Sequence, residues 1–526
     1  MYRIKKRGTS LAVLLIISLV LGAFSFANTT ALAKATCINN NSSTWEWETS
    51  TPEQQGMDSA KLLDMFKAIE DNKTPIHSLL IVKNGKLVTE AYFDPYDKNM
   101  RHALYSATKS VTSTLVGIAI KEGYIKGVDQ KVLDFFPDIT LENDQYQGKD
   151  MTIENLLTMS TGHRDDSSQY VFTSMDFPKS FFGIPFSSKP GTKFYYDSGA
   201  SHLLSVILTK ATGMSTDQYA KKHLFDPMGI TDYTWETDLS GINIGGWGLK
   251  MTPRDMAKFG QLAINWGKWC NKQLVPKEWL EVATSKHIDA YWGEVRADDY
   301  GYQWWRNFFG GYRADGYGGQ FVYVLPEQDL VVVFTSGINY SEKMQPGNYV
   351  NDYIIPSAKS SKPIKPNSKP LMKLKNFIKG LESPKSGKSS SLPKIAQEIS
   401  GKVYKMDLTD ISLSFDFKKK NSSVLNIKQN GSSHVLTIGL DGVYRISKAS
   451  QVGTMTMYPL YSQVALKGNW VNENTFEMDW HYVGEPFCEV YRFIFDGSKI
   501  TVDITKYLED TTGLSPKQLV LTGMCE

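Results

Sequence analysis

Ser106 and Lys109 stand three residues apart in Leu104-Tyr105-Ser106-Ala107-Thr108-Lys109-Ser110, at the head of an apolar run. On a helix that spacing puts both side chains on one face, so the amine can take the hydroxyl proton as the oxygen attacks a carbonyl. The chemistry would be acyl transfer through a covalent serine intermediate. The same spacing recurs at Ser391-Leu392-Pro393-Lys394, where Pro393 and Ser/Lys-rich surroundings argue against a packed helix. Around Ser106 the context differs. Val111, Leu115 and Ile118 recur at helical spacing, the run continues to Ile120, and Gly123 supplies a stop, which predicts a buried helix headed by the serine.

Such a pair needs a rigid frame. At 526 residues, 41% of them hydrophobic, the chain is long enough for two domains and large cores. From about Trp45 to Pro356 helical and strand patterns mix. Residues 79–82 and 86–89 flank Asn84-Gly85 and read as a hairpin, and residues 321–325 and 330–335 flank a Pro-Glu-Gln-Asp turn and read as another. Helical segments at 201–211 and 251–266 lie between them. First and last elements joining one antiparallel sheet, with helices inserted, is an α+β arrangement.

Beyond residue 357 the character changes. Residues 357–395 form a basic Ser/Lys/Pro-rich linker with room for a short helix at 371–378. Its ten lysines and single Glu382 give +9, against +3 for the whole chain, so the remainder is negative and offers no nucleic-acid footprint. The linker itself is a solvated spacer or a weak contact for an anionic cell wall or membrane surface. Residues 396–526 read as a small all-β barrel-like domain. Alternating runs at 411–417, 424–427, 435–440, 476–480, 491–495 and 500–504 are punctuated by Asn430-Gly431, Asp441-Gly442 and Asp496-Gly497.

At the other end, Arg3, Lys5, Lys6 and Arg7 precede an apolar run over 11–27 and a small-residue site at Ala31-Leu32-Ala33. Residues 1–33 therefore read as a signal peptide, followed by an extension over 34–44, and the mature protein is expected outside the cell. Lys34 stands where lipid attachment at Cys37 would want an apolar residue. An exported chain permits disulfides, and among Cys37, Cys270, Cys488 and Cys525 the pair Cys488–Cys525 is preferred because both fall in the last domain. No zinc-like spacing occurs, and His163-Arg164-Asp165-Asp166 reads as a polar loop, so neither metal nor cofactor is expected.

Pro190-Gly191-Thr192-Lys193-Phe194-Tyr195-Tyr196-Asp197-Ser198-Gly199 brings a resemblance into view. With the Ser106 segment it is similar to the serine hydrolases related to class C β-lactamases and penicillin-binding proteins, whose Tyr-x-Asn motif follows a Pro-Gly turn. The resemblance puts the family tyrosine at Tyr196, with Tyr195 the neighbouring alternative, and the family asparagine at Ser198. It implies that Tyr196 relays protons with Lys109, and a phenol beside an ammonium could have a lowered pKa. The family's third element falls on Asp315-Gly316-Tyr317-Gly318-Gly319-Gln320, leading into a strand. There the amide of Tyr317, or of Gly318, would complete an oxyanion hole with that of Ser106. Leu156-Leu157-Thr158-Met159-Ser160-Thr161-Gly162, Met251-Thr252-Pro253-Arg254-Asp255 and Tyr300-Gly301-Tyr302-Gln303-Trp304-Trp305 also look like segments of this superfamily. Residues 45–356 are thus expected to be a β-lactamase-like domain, nearest the branch of 6-aminohexanoate-dimer hydrolase and related esterases. The C-terminal domain resembles the lipocalin-like β-domains appended to such enzymes.

Two departures shape the expected activity. No Lys or His opens the third element, and Asp315 would disfavour the substrate carboxylate that such a cation grips. Ser198 replaces an amide with a hydroxyl. The resemblance implies a hydrolase of small esters, amides or peptides, with Trp247, Tyr302, Trp304, Trp305 and Tyr317 available to line an acyl pocket. Alternatives are D-alanyl-D-alanine peptidase or β-lactamase activity, or a weakly active cell-wall-peptide binding protein. The sequence leaves the oligomeric state open.

Overall fold

Asn84 and Gly85 both take positive φ, 52° and 73°. The turn they form folds Ile76–Lys83 (β1) back on Lys86–Tyr92 (β2). The computed structural model describes residues 45–141, 144–292, 295–383, 386–387, 391–407, 409–448, 463–508 and 518–525. The expected signal peptide, the 34–44 extension and Cys37 lie outside them.

Six further strands complete the first sheet: Ile288–Trp292 (β3), Val295–Tyr300 (β4), Trp305–Arg306 (β5), Tyr312–Gly316 (β6), Gln320–Leu325 (β7) and Leu330–Ser336 (β8). Their order is β2-β1-β8-β7-β6-β5-β4-β3. The first hairpin of the domain meets the last, Leu79 opposite Phe334 and Ile81 opposite Val332, as an α+β fold of this kind requires. Strand alternation then sorts side chains to two cores. Leu80 and Val82 join Val111, Leu115, Leu203 and Phe259 on the side of Thr108–Lys121 (α2), Ser198–Thr212 (α3) and Pro253–Ile264 (α4). Leu79 and Ile81 join Leu62 and Phe66 from Ser59–Asp71 (α1).

The basic stretch is more ordered than its composition suggests. Ser368–Glu382 (α5) is a fifteen-residue helix, longer than the short helix expected at 371–378. Leu374 is buried against the α1 side of the sheet, and the Phe377 ring lies 6.3 Å from that of Phe66. The apolar residues Leu371, Leu374, Ile378 and Leu381 recur at helical spacing, so one stripe packs while Lys369, Lys373, Lys375 and Lys379 stay in solvent.

The C-terminal strands are Val403–Met406 (β9), Ile411–Asp416 (β10), Ser422–Gln429 (β11), Ser432–Gly439 (β12), Arg445–Lys448 (β13), Gln463–Trp470 (β14), Thr475–Tyr482 (β15), Cys488–Asp496 (β16), Lys499–Lys506 (β17) and Gln518–Cys525 (β18). They run β12-β11-β10-β9-β18-β17-β16-β15-β14-β13, and Gly439 on β12 meets Lys467 on β14. That contact closes nine strands into a barrel with β13 at its seam. Inward alternation is clear on β10, where Ile411, Leu413 and Phe415 are buried.

The barrel also corrects the expected disulfide. Neither Cys488 nor Cys525 is in a disulfide, whereas Cys270 is. β17 separates β16 from β18, so the two cysteines stand at least two strand spacings, about 10 Å, apart, beyond the reach of a disulfide. Among the described residues, no helix is long and apolar enough to cross a membrane.

Candidate active site

The chain enters the site through His102–Ala103, a short strand paired with Leu249–Met251. Leu104 N donates to Leu249 O at 2.9 Å, and Tyr105 then takes a left-handed conformation, φ 47°. This places Ser106 in the 3-10 turn Tyr105–Ala107 that leads into α2. Lys109, in the first turn of α2, is 2% exposed. Its Nζ lies 3.0 Å from Ser106 Oγ, 3.1 Å from Ser198 Oγ and 2.7 Å from Gly246 O.

Asp197 positions the second segment. As N-cap of α3 it accepts from Gly199 N at 2.9 Å and Ala200 N at 3.2 Å, which fixes Tyr196 and Ser198 on either side. Tyr196 is partly buried, its ring stacked on Trp305 at 6.0 Å, with Lys109 Nζ 4.9 Å from its centroid and its hydroxyl hydrogen-bonded to Ser106. Tyr195 is 38% exposed. Of the two neighbours, Tyr196 is the one brought to Ser106 and Lys109.

The third segment is the turn between β6 and β7. A side chain on Gly316 would put its Cβ 2.1 Å from Leu104 O, so only glycine lets β6 reach the Ser106 turn. Gly316 pairs with Gln320 across the turn that holds Tyr317, Gly318 and Gly319. Gln320, fully buried, donates from Nε2 to Tyr317 O at 3.2 Å and Ser336 O at 2.8 Å, pinning the turn to β8. Trp247 follows Gly246 and sits half-buried, edge-on to Phe172. Two of the five aromatic candidates belong elsewhere: Trp304 stacks on Phe259 in the core, and Tyr302 stacks on His287 and donates to Glu154.

Burial sets the proton chemistry. Loss of solvent lowers the Lys109 pKa to about 7, although Asp166, Asp197 and Asp315 pull it upward. The same burial raises the Tyr196 phenol well above its ordinary range, an effect the Ser106 hydrogen bond opposes and the nearby carboxylates reinforce. The lowered phenol anticipated from an adjacent ammonium is therefore not what this pocket produces. Lys109 is the group poised near neutrality, and Tyr196 is a neutral donor.

Several contributors escaped the sequence reading. Asp166, read as part of a polar loop, accepts from Ser198 N at 3.1 Å and faces Asp197. Burial first, and then the Asp166 charge, raise the Asp197 pKa to about 8. Asp315 accepts from Arg313 Nε at 3.1 Å and Lys343 Nζ at 3.3 Å, which neutralises the charge expected to repel anions. Arg313 precedes Asp315 by two on β6, a same-face spacing that was legible; Lys343 arrives from a distant loop. Gly246 lies in the conspicuous Gly245-Gly246-Trp247-Gly248 run. Among the described residues, no three His, Cys, Asp or Glu side chains gather as a metal site.

Comparison with known proteins agrees with this architecture. Residues 54–353 match the family model described as Beta-lactamase. The 6-aminohexanoate-dimer hydrolase of Paenarthrobacter ureafaciens is 23% identical over 298 residues, 52% of this chain and 75% of that protein. Among solved structures, a putative 6-aminohexanoate-dimer hydrolase from Bacillus anthracis is similar over 65% of this chain and 88% of its own, with 20% identity and a TM-score of 0.46. The octameric penicillin-binding protein homologue from Pyrococcus abyssi is similar over 88% of this chain and all of its own (100%), with 17% identity and a TM-score of 0.46. With its family model matched across more than half of its length, the chain belongs to the beta-lactamase family, serine hydrolases of the β-lactamase and penicillin-binding-protein fold.

Proposed function

We propose that the protein is an exported serine hydrolase that cleaves a small ester or amide through an acyl-enzyme on Ser106. One observation carries the reading: the three oxygen neighbours of Lys109 Nζ. A neutral amine has two N–H bonds and one lone pair. Gly246 O can only accept and Ser198 Oγ can accept as well, which leaves the lone pair for the Ser106 hydroxyl. Ser106 Oγ attacks the carbonyl while its proton passes to Lys109, directly or through the Tyr196 hydroxyl. The amides of Ser106 and Tyr317, or Gly318 in its place, hold the oxyanion. The proton then goes to the departing alcohol or amine, and water repeats the cycle to release the acid and restore Ser106. Ser198 keeps the lysine contact that the family asparagine would make, and Trp305, Trp247 and Tyr317 supply apolar walls.

Linear amides join simple esters as candidate substrates because a curated relative is named for hydrolysis of 6-aminohexanoate dimer. A second reading, D-alanyl-D-alanine peptidase or β-lactamase activity, draws support from the pairing of Asp315 with Arg313 and Lys343. Export is supported by the bonded state of Cys270, since disulfides persist in oxidising compartments. The exposed lysines of α5 would offer at most a weak contact to an anionic wall or membrane. The test is turnover of p-nitrophenyl esters, linear amides, D-Ala-D-Ala peptides and nitrocefin by wild type and Ser106→Ala. Serine-dependent ester or amide hydrolysis is expected. Turnover of the D-Ala-D-Ala peptide or nitrocefin alone would favour the second reading, and no serine-dependent turnover of any substrate would contradict both.

A further inference from the structure

The barrel reaches the hydrolase site through the loop between β15 and β16. Both domains pack as one compact unit, and this loop is where the barrel meets the Ser106 turn. Gly484 O accepts from Ala103 N at 2.8 Å, three residues before the nucleophile. Glu485, 2% exposed, accepts from Tyr105 Oη at 2.8 Å through one carboxylate oxygen and from Lys250 Nζ through the other. The Phe487 ring lies 6.3 Å from both the Tyr105 ring and the Tyr317 ring, and those two lie 5.6 Å from each other. A Cβ on Gly318 would stand 2.4 Å from Pro486, so the turn beyond Tyr317 is closed down on the loop.

These contacts converge on the segments that must keep register for acylation. Tyr105 is a non-glycine residue in the left-handed region immediately before Ser106, a conformation that persists only when its surroundings over-determine it. The Tyr105 hydroxyl bond and ring contacts provide that, and its ring packs on Tyr317, the first of the two residues proposed above to supply an oxyanion amide. Lys250, held by the other carboxylate oxygen, lies on the strand that leads out of Gly246 and pairs with Ala103.

We propose that Glu485 is a positioning residue of the hydrolase site, contributed by the C-terminal barrel, which holds the Tyr105–Ser106 turn against the Tyr317 strand and the Lys250 strand. The inference rests on the reading of Ser106 as the nucleophile. It makes the barrel part of the acylation machinery.

The test uses the full chain and separates geometry from folding. Wild type, Glu485→Ala and Glu485→Gln are titrated with a fluorophosphonate, giving both the fraction of sites that label and the acylation rate constant per labelled site. Misplacement of reacting groups by about 1 Å costs on the order of 10²-fold, so Glu485→Ala is expected to lose about that much in rate per site and in kcat, with KM little changed. Glu485→Gln, which keeps a carbonyl oxygen for Tyr105, is expected to recover most of the loss. A rate constant per labelled site equal to wild type in Glu485→Ala overturns the inference, whatever fraction labels. Wild type that takes no label overturns the serine-hydrolase reading and this inference with it.

Discussion

Lys109 Nζ lies 2.7 Å from the backbone carbonyl oxygen of Gly246. A carbonyl cannot donate in return, so this bond consumes an N–H of the lysine in either protonation state. It fixes which way the lone pair of the neutral amine turns. The proposed general base is thus oriented by backbone, and burial is the largest cause of its lowered pKa.

Activity should rise with pH through about 7, where Lys109 loses its proton. Below that value the ammonium has no lone pair for Ser106. The measurement is kcat/KM on a p-nitrophenyl ester across pH. Lys109→Met should cost about 10²–10⁴-fold in kcat. It should also raise Tm at pH 7: the folded-state pKa of Lys109 lies below the ordinary lysine value, so the buried amine penalises folding as pH falls below that ordinary value, and methionine removes the penalty.

Asp166→Asn should move the acid limb of that profile to lower pH. Of the carboxylates that raise the Lys109 pKa, Asp166 contributes most, and the substitution removes its charge. An unmoved limb would show that this charge does not reach the lysine.

Tyr196→Phe keeps the ring on Trp305 and removes only the hydroxyl. A fall in kcat of about 10²–10⁴-fold with little change in KM is expected. Tyr195→Phe, altering a side chain that faces solvent, should leave both constants near wild type. Equal effects of the two substitutions would remove the distinction between them.

Leu374→Ala should lower unfolding stability by about 2–5 kcal/mol, the range for truncating a buried leucine. Leu374, on the buried face of α5, is 2% exposed. A change within error in chemical denaturation would mean that the helix does not contribute to the core.

The hairpins, the Ser106 helix and the barrel strands were legible because each is a local pattern: Asn-Gly between alternating runs, or apolar residues at helical spacing. Leu371, Leu374 and Leu381 were equally regular and left room for a short helix, but the ten surrounding lysines pointed to a solvated linker and hid its full length and its packing on the core. Ser106, Lys109 and Tyr196 were readable from spacing and resemblance. Asp166 and Glu485 were not, since one lies 60 residues and the other 379 residues along the chain from Ser106, and only the fold brings them close. The direction of the Tyr196 shift also depended on burial, which no motif encodes.

Covalent labelling of Ser106 bears most directly on the central claim. Wild type treated with a fluorophosphonate should gain one adduct by intact mass, mapped by peptide sequencing to Ser106, and Ser106→Ala should gain none. An adduct retained by Ser106→Ala, or mapped to another residue in wild type, would contradict it.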